Sequence, residues 1–130
     1  EKILALYKEL EEYLRKYGDD SILQSYKIVK RIIVFLESDS TKDEKEKFLI
    51  QSYKSLFPGK GALSEFYIWD NDVKTRRKLN EPFDIIHHEI WKSMYKKFFA
   101  WDHEFLIVLV RLKILSNKRI HEAIIFDEIR

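Results

Sequence analysis

Four histidines, His87, His88, His103 and His121, are the side chains of this sequence best suited to ligate a transition metal or to move a proton near neutral pH. Their spacing builds no site on a single element. His88, His103 and His121 are each followed by glutamate. Neighbours on a helix point about 100° apart, however, and no His-Glu-x-x-His repeat places two ligands on one face. His87 lies between Ile86 and Ile90 at the rim of an apolar stripe and shares a face with Trp91 four residues on. The reading is a partly buried structural histidine and no metal.

Other chemistries fall to similar tests. Gly59-Lys60-Gly61 has the glycines of a phosphate loop, but a Walker A motif needs four residues between its glycines and a Ser or Thr after its lysine. A helix stop with a tight turn is the simpler account. Asp70 and Asp72 echo the start of a calcium loop, yet the sixth position is Thr75 where that loop needs glycine, so ordinary turn chemistry is expected. With no cysteine there is no thiol nucleophile, thiolate zinc site, iron–sulfur cluster or disulfide. No serine stands in a Gly-x-Ser-x-Gly elbow, and carboxylates are spread along polar helix faces rather than paired on apolar ones. The expectation is a protein that is not an enzyme and uses no cofactor.

Two surface features remain. Tyr67 and Trp69 stand two residues apart beside a glycine turn, bordered by Glu65, Asp70 and Asp72. On a short strand they share a face, a combination suited to an aromatic anchor with an acidic rim; equally, that face covers the core while Phe66 and Ile68 point outward. Lys74, Arg76, Arg77 and Lys78 form the densest basic run, read as a solvated loop or, alternatively, as a nucleic-acid contact. Asp70 and Asp72 before it and Glu81 and Asp84 after it nearly cancel its charge.

The elements that must position these residues are mostly helical. Ile3, Leu6, Leu10, Leu14 and Tyr17 recur at helical period, with Gly18 where a left-handed cap is expected and Asp19, Asp20 and Ser21 as cap chemistry for the next helix. Ile22, Tyr26, Val29, Ile32 or Ile33 and Leu36 continue the period, while Leu23, Ile28 and Phe35 make that second helix apolar on a further side, hence central. Thr41 and Glu44 have capping-box spacing for a third helix from about Lys42, carrying Phe48, Leu49, Tyr53 and Leu56 and ending at Pro58-Gly59. The run 66–69, closed by Asp70-Asn71-Asp72, predicts a small β-hairpin near residues 66–75. Asn80 is expected to cap a fourth helix with Pro82 in its first turn and Phe83, Ile86, Ile90, Met94 and Phe98 on its stripe. Asp102 is expected to cap a fifth. Residues 105–115 read as buried helix or buried strand, which periodicity does not separate, and Ile120, Ala123 and Ile124 mark a last short helix after Asn117.

The composition sets the scale. One domain spanning 1–130 accommodates the 130 residues, and 45% hydrophobic against 35% charged residues make the chain globular. The net charge of +2 implies neither a polyanion nor a membrane partner. The apolar run 105–110 ends at Arg111, short of the roughly 18 to 20 residues of a membrane span. The first residues, Glu1-Lys2-Ile3-Leu4, open in an amphipathic pattern without signal-peptide regions, and the expected location is the cytoplasm.

The stretch from Tyr53 through Leu56-Phe57-Pro58-Gly59-Lys60-Gly61 and Phe66-Tyr67-Ile68-Trp69-Asp70-Asn71-Asp72, and on through Asn80-Glu81-Pro82 to Trp91, resembles a family of short bacterial proteins of unknown function. These are similar in turn to the immunity partners of polymorphic and contact-dependent toxins. The resemblance implies a protein-binding partner of a toxin domain encoded nearby, occluding that toxin's active site. The combined expectation is a mainly α, irregular bundle of five to six helices with a small hairpin inserted near residues 66–75. Its expected function is non-catalytic toxin neutralisation through Glu65, Tyr67, Trp69, Asp70 and Asp72; the alternative is a nucleic-acid-binding or regulatory module using Lys74, Arg76, Arg77 and Lys78.

Overall fold

The structure is a computed structural model and describes residues 2–98. Four α-helices are formed, α1 (Lys2–Tyr17), α2 (Leu23–Leu36), α3 (Lys42–Leu56) and α4 (Val73–Phe98), with 3-10 turns at Asp20–Ile22 and Ala62–Glu65. The chain is mainly helical, as expected. The anticipated fifth helix from Asp102, the undecided 105–115 segment and the last short helix lie outside the described residues.

The helices pack because each presents one apolar stripe. In α1 the stripe is wider than its strict period implies, since Tyr7 and Tyr13 are buried beside Ile3, Leu6, Leu10 and Leu14. Helix α1 touches α2 on one side and α4 on the other, and α2 touches α3. Tyr53 and Phe57, at the end of α3, close the ring against His87, Trp91 and Phe83 of α4. Each fully buried aliphatic or aromatic side chain of this core contributes roughly 1.5–3 kcal/mol over leaving it in water. In α2, Val29, Ile32 and Leu36 are buried and Ile28, Ile33 and Phe35 half-buried, while Lys27, Lys30, Arg31 and Val34 form an exposed ridge.

Caps and breaks follow local chemistry with one exception. Thr41 Oγ1 accepts from the Glu44 N–H at 3.2 Å and starts α3. Asp19 accepts from the Ser21 N–H at 2.9 Å and starts the turn before α2. Gly18, expected as a left-handed cap, does not have positive φ. Glycine is needed there for space: a Cβ would stand 2.5 Å from the Leu14 carbonyl oxygen and 2.5 Å from Ile22 Cδ1. The left-handed glycines are Gly59 and Gly61, in the break after α3, where Gly61 has φ 81° and ψ −170°, a conformation that strains any residue with a side chain.

The hairpin near residues 66–75 is not formed, and the described residues contain no strand. Residues 66–69 are extended, but the chain turns at Asp70–Asp72 into helix instead of a second strand. Asp72 Oδ2 accepts from the Thr75 N–H at 2.9 Å and from Thr75 Oγ1 at 2.7 Å, and the Asp72 carbonyl accepts the Arg76 N–H at 2.9 Å. Helix α4 therefore begins seven residues before the expected Asn80 cap, and the basic run 74–78 is helical rather than loop. Pro82 sits inside the helix, where it withholds an N–H from the Lys78 carbonyl. The Asp72 cap and the strong helix formers after it outweigh that single missing bond.

Candidate functional site

Asn80 explains what replaces the hairpin. Its buried carboxamide does for Ile68 what a neighbouring strand does in a sheet: Oδ1 accepts from the Ile68 N–H at 2.9 Å and Nδ2 donates to the Ile68 carbonyl at 2.8 Å. The same Nδ2 donates to the Arg76 carbonyl at 2.9 Å. Both backbone groups of Ile68 are thereby satisfied by one side chain of α4, and the 66–69 segment lies in extended form against the bundle. Phe66 and Ile68 face inward and are half-buried, with Phe66 edge-on to Tyr13 at 6.2 Å and to Phe83 at 5.5 Å. Beneath them the Tyr13 hydroxyl donates to the Leu79 carbonyl at 2.8 Å.

The alternation of an extended chain then sends Tyr67 and Trp69 outward, 56% and 69% exposed. Of the two orientations open from sequence, the structure has the one with Phe66 and Ile68 in. Trp69 is exposed without being loose. Its indole Nε1 donates to Asn71 Oδ1 at 3.3 Å, and the Arg76 guanidinium lies over the ring at 4.3 Å from its centre. Arg76 is held in turn, its NH1 donating to the Asp70 carbonyl at 3.3 Å. One indole face is backed by a cation fixed on α4, and the ring as a whole meets solvent.

The carboxylates of this region have local duties. Asp70 Oδ1 accepts from the Asp72 N–H at 2.8 Å, and the bonds from Thr75 hold the Asp72 carboxyl below the usual carboxylate range. Glu65, at the end of the 3-10 turn, is exposed. Lys74, Arg77 and Lys78 are also exposed, and among the described residues none has a carboxylate within ion-pair distance. Four basic residues in the first two turns oppose the helix dipole, so they add nothing to the stability of α4. Val73, the first residue of α4, is half-exposed.

The histidines are elsewhere and do something else. His87 lies flat on Phe57, ring centres 3.8 Å apart and planes 5° from parallel, with Nε2 3.0 Å from the Tyr53 hydroxyl. Burial, with a smaller contribution from neighbouring His88, lowers its pKa from the ordinary 6.5 to about 4, so the ring is neutral at physiological pH. The Tyr53 hydroxyl is pushed well above the ordinary tyrosine value by burial and by nearby Tyr7. The Tyr7 hydroxyl and His88 Nδ1 are buried without a hydrogen-bond partner among the described residues. No group of three or more His, Cys, Asp or Glu side chains gathers among the described residues; His103 and His121 lie outside them.

Of the residues singled out from sequence, Trp69, Asp70, Asp72 and Arg76 are thus brought together with Tyr67 exposed beside them in the chain, Lys74 and Lys78 fall on the face of α4 opposite Arg76, and His87 and His88 belong to the core side. Sequence reading missed Asn80 as the organiser, because Asn before Glu-Pro has the pattern of a helix start. It missed Arg76 as the partner of Trp69, although a spacing of seven across a capped turn is the available signal. No protein-family model, curated protein or solved structure matches the chain.

Proposed function

We propose that this chain is a non-catalytic protein-binding protein, and most concretely an immunity protein that neutralises a cognate bacterial toxin by occluding its active site. The observation that supports the reading is Trp69: a large indole, 69% exposed, held in one orientation by Asn71 and Arg76. Exposed tryptophans whose geometry is fixed before binding are the usual energetic centres of protein interfaces, since little side-chain entropy is lost on docking. Tyr67 and Val73, close to it in the chain, are also exposed, and Glu65, Asp70 and Asp72 flank them in sequence. The toxin partner follows from the sequence resemblance over residues 53–91.

The test is co-purification with the product of the neighbouring gene, followed by affinity measurement on Trp69→Ala. The substitution is expected to weaken the complex by about 2 kcal/mol or more. Unchanged affinity removes Trp69 from the interface, and a neighbouring product that does not bind removes the immunity reading. The second reading, a nucleic-acid or regulatory module, draws on Lys74, Arg77 and Lys78, exposed and without an ion-pair partner among the described residues, and predicts binding that falls steeply with salt.

A further inference from the structure

Helix α2 differs from the other described helices in its charges. Its 14 residues include Lys27, Lys30 and Arg31 and no aspartate or glutamate, whereas α1, α3 and α4 each mix both signs. The three cations are exposed, and none has a carboxylate within ion-pair distance among the described residues. Lys30 also lies over the Tyr26 ring, 5.6 Å from its centre. Leu23, 49% exposed, and Val34, 70% exposed, stand on the same face. The positions 23, 27, 30 and 34 alternate steps of four and three, the repeat that keeps side chains in one line along a helix and against a second helix packed beside it. The outward line of α2 therefore reads Leu, Lys, Lys, Val over about 16 Å, with Arg31 one turn on from Lys27 at its flank. At the Leu23 end is a groove of about 260 Å³ lined by Leu14, Ile22, Leu23 and Tyr26, with Arg15 and Asp20 on its polar wall.

We propose that this line of α2 docks an acidic helix of a partner protein, with an apolar side chain seated in the groove beside Leu23 and carboxylates of the following turns meeting Lys27, Lys30 and Arg31. The surface uses no residue of the Trp69 segment and stands independently of the toxin reading. Charge complementarity selects the occupant. A second copy of this chain, paired through a two-fold axis, would set the same cations against one another. An anionic membrane takes up a helix through a continuous apolar face, and that face of α2, with Val29, Ile32 and Leu36, is already buried in the core. A nucleic-acid strand carries a charge at every nucleotide, but α2 offers three cations within five residues, preceded by exposed Asp19 and Asp20 and followed by exposed Glu37 and Asp39. An acidic helix with apolar ends fits between those borders, because its carboxylates are confined to the turns opposite Lys27, Lys30 and Arg31 while its apolar residues meet Leu23 and Val34.

The probes are a helical peptide whose facing line reads Leu, Glu, Glu, Leu, its counterpart with Lys in place of those Glu, duplex DNA, and phosphatidylserine vesicles. Each is titrated into the isotope-labelled full chain at low and at physiological salt, following backbone amides. The acidic peptide is expected to shift the amides of residues 23–34 and to leave those of 67–72 in place. Its affinity should fall about tenfold or more in the double variant Lys27→Glu, Lys30→Glu, whose substitutions are exposed and whose thermal melt checks the fold. The lysine peptide should bind that variant more tightly than it binds the parent protein. No shift with the acidic peptide, or a shift confined to residues 67–78, overturns the proposal. An affinity that survives the double substitution removes the cations from the contact and overturns it as well. Tighter binding of duplex DNA or of the vesicles than of the acidic peptide overturns the choice of partner.

Discussion

Among the described residues, two planar nitrogen groups lie close over aromatic rings, and their surroundings give them opposite roles. In the core, the His87 imidazole stacks on Phe57 at 3.8 Å and is kept neutral by burial. At the surface, the Arg76 guanidinium covers Trp69 at 4.3 Å and keeps its charge, since arginine is not deprotonated in proteins. The buried stack is packing: its value lies in excluded water, and a proton on the imidazole would oppose it. The exposed stack is orientation: it buries little and instead holds a ring that remains largely open to solvent. The same local geometry is structural in one place and a candidate interface in the other because of what surrounds it.

That contrast can be broken most directly by truncating each ring. Phe57 is fully buried, and Phe57→Ala should lower unfolding free energy by about 4 kcal/mol in denaturant titration. Trp69→Ala should change it by less than about 0.5 kcal/mol, because an exposed side chain leaves no cavity. Comparable losses for the two would mean that Trp69 is a core residue in solution and would remove the distinction.

Acid tests the buried stack next. The His87 pKa is lowered on folding, so between about pH 6.5 and about 4 the unfolded chain takes up a proton that the folded chain refuses. Stability is therefore fully present above that window and falls as pH drops through it, by up to roughly 3 kcal/mol for a shift of this size. Replacing His87 with Gln should flatten this part of the pH profile relative to the parent protein. A profile that is equally steep in the variant would assign the acid sensitivity to other groups. Arg76 offers no counterpart, since its charge is constant across the range.

Asn80 links the two regions, since it holds the inward-facing Ile68 and thereby the outward-facing Trp69. Asn80→Ala leaves the Ile68 N–H and carbonyl unpaired and should cost about 2 kcal/mol. It should also release the Trp69 indole from its single orientation, seen as a change in its fluorescence anisotropy or indole N–H resonance. A stability loss without any change at Trp69 would show that the ring is held by Arg76 and Asn71 alone. The last effect expected is a gain. Tyr7→Phe removes a buried hydroxyl that has no partner among the described residues and should raise stability by about 1 kcal/mol.

Much of the helical architecture was legible because it rests on local rules. The stripes of α1, α2 and α3, the Thr41 cap and the stop at Pro58-Gly59 each depend on residues within a turn or two of one another. The failures share a cause as well. Residues 66–69 have strand composition and do extend, but their backbone partner is a side chain twelve residues further on rather than a second strand. Asn80 has helix-start composition, but Asp72 had already started the helix. Gly18 was identified as special for its backbone freedom, when contact with Leu14 and Ile22 is what excludes a side chain there.

Sequence by itself determined that this chain buries its apolar residues through helices, that cysteine chemistry is absent, and that residues 65–78 gather aromatic and charged side chains beside a turn. Those are properties of residue type and short-range spacing. Tertiary structure decided which rings of that segment face out and which of its charges are free. The extended segment has two faces, and only the bundle underneath, with Asn80 projecting from α4, selects Phe66 and Ile68 for the core and leaves Tyr67 and Trp69 to solvent.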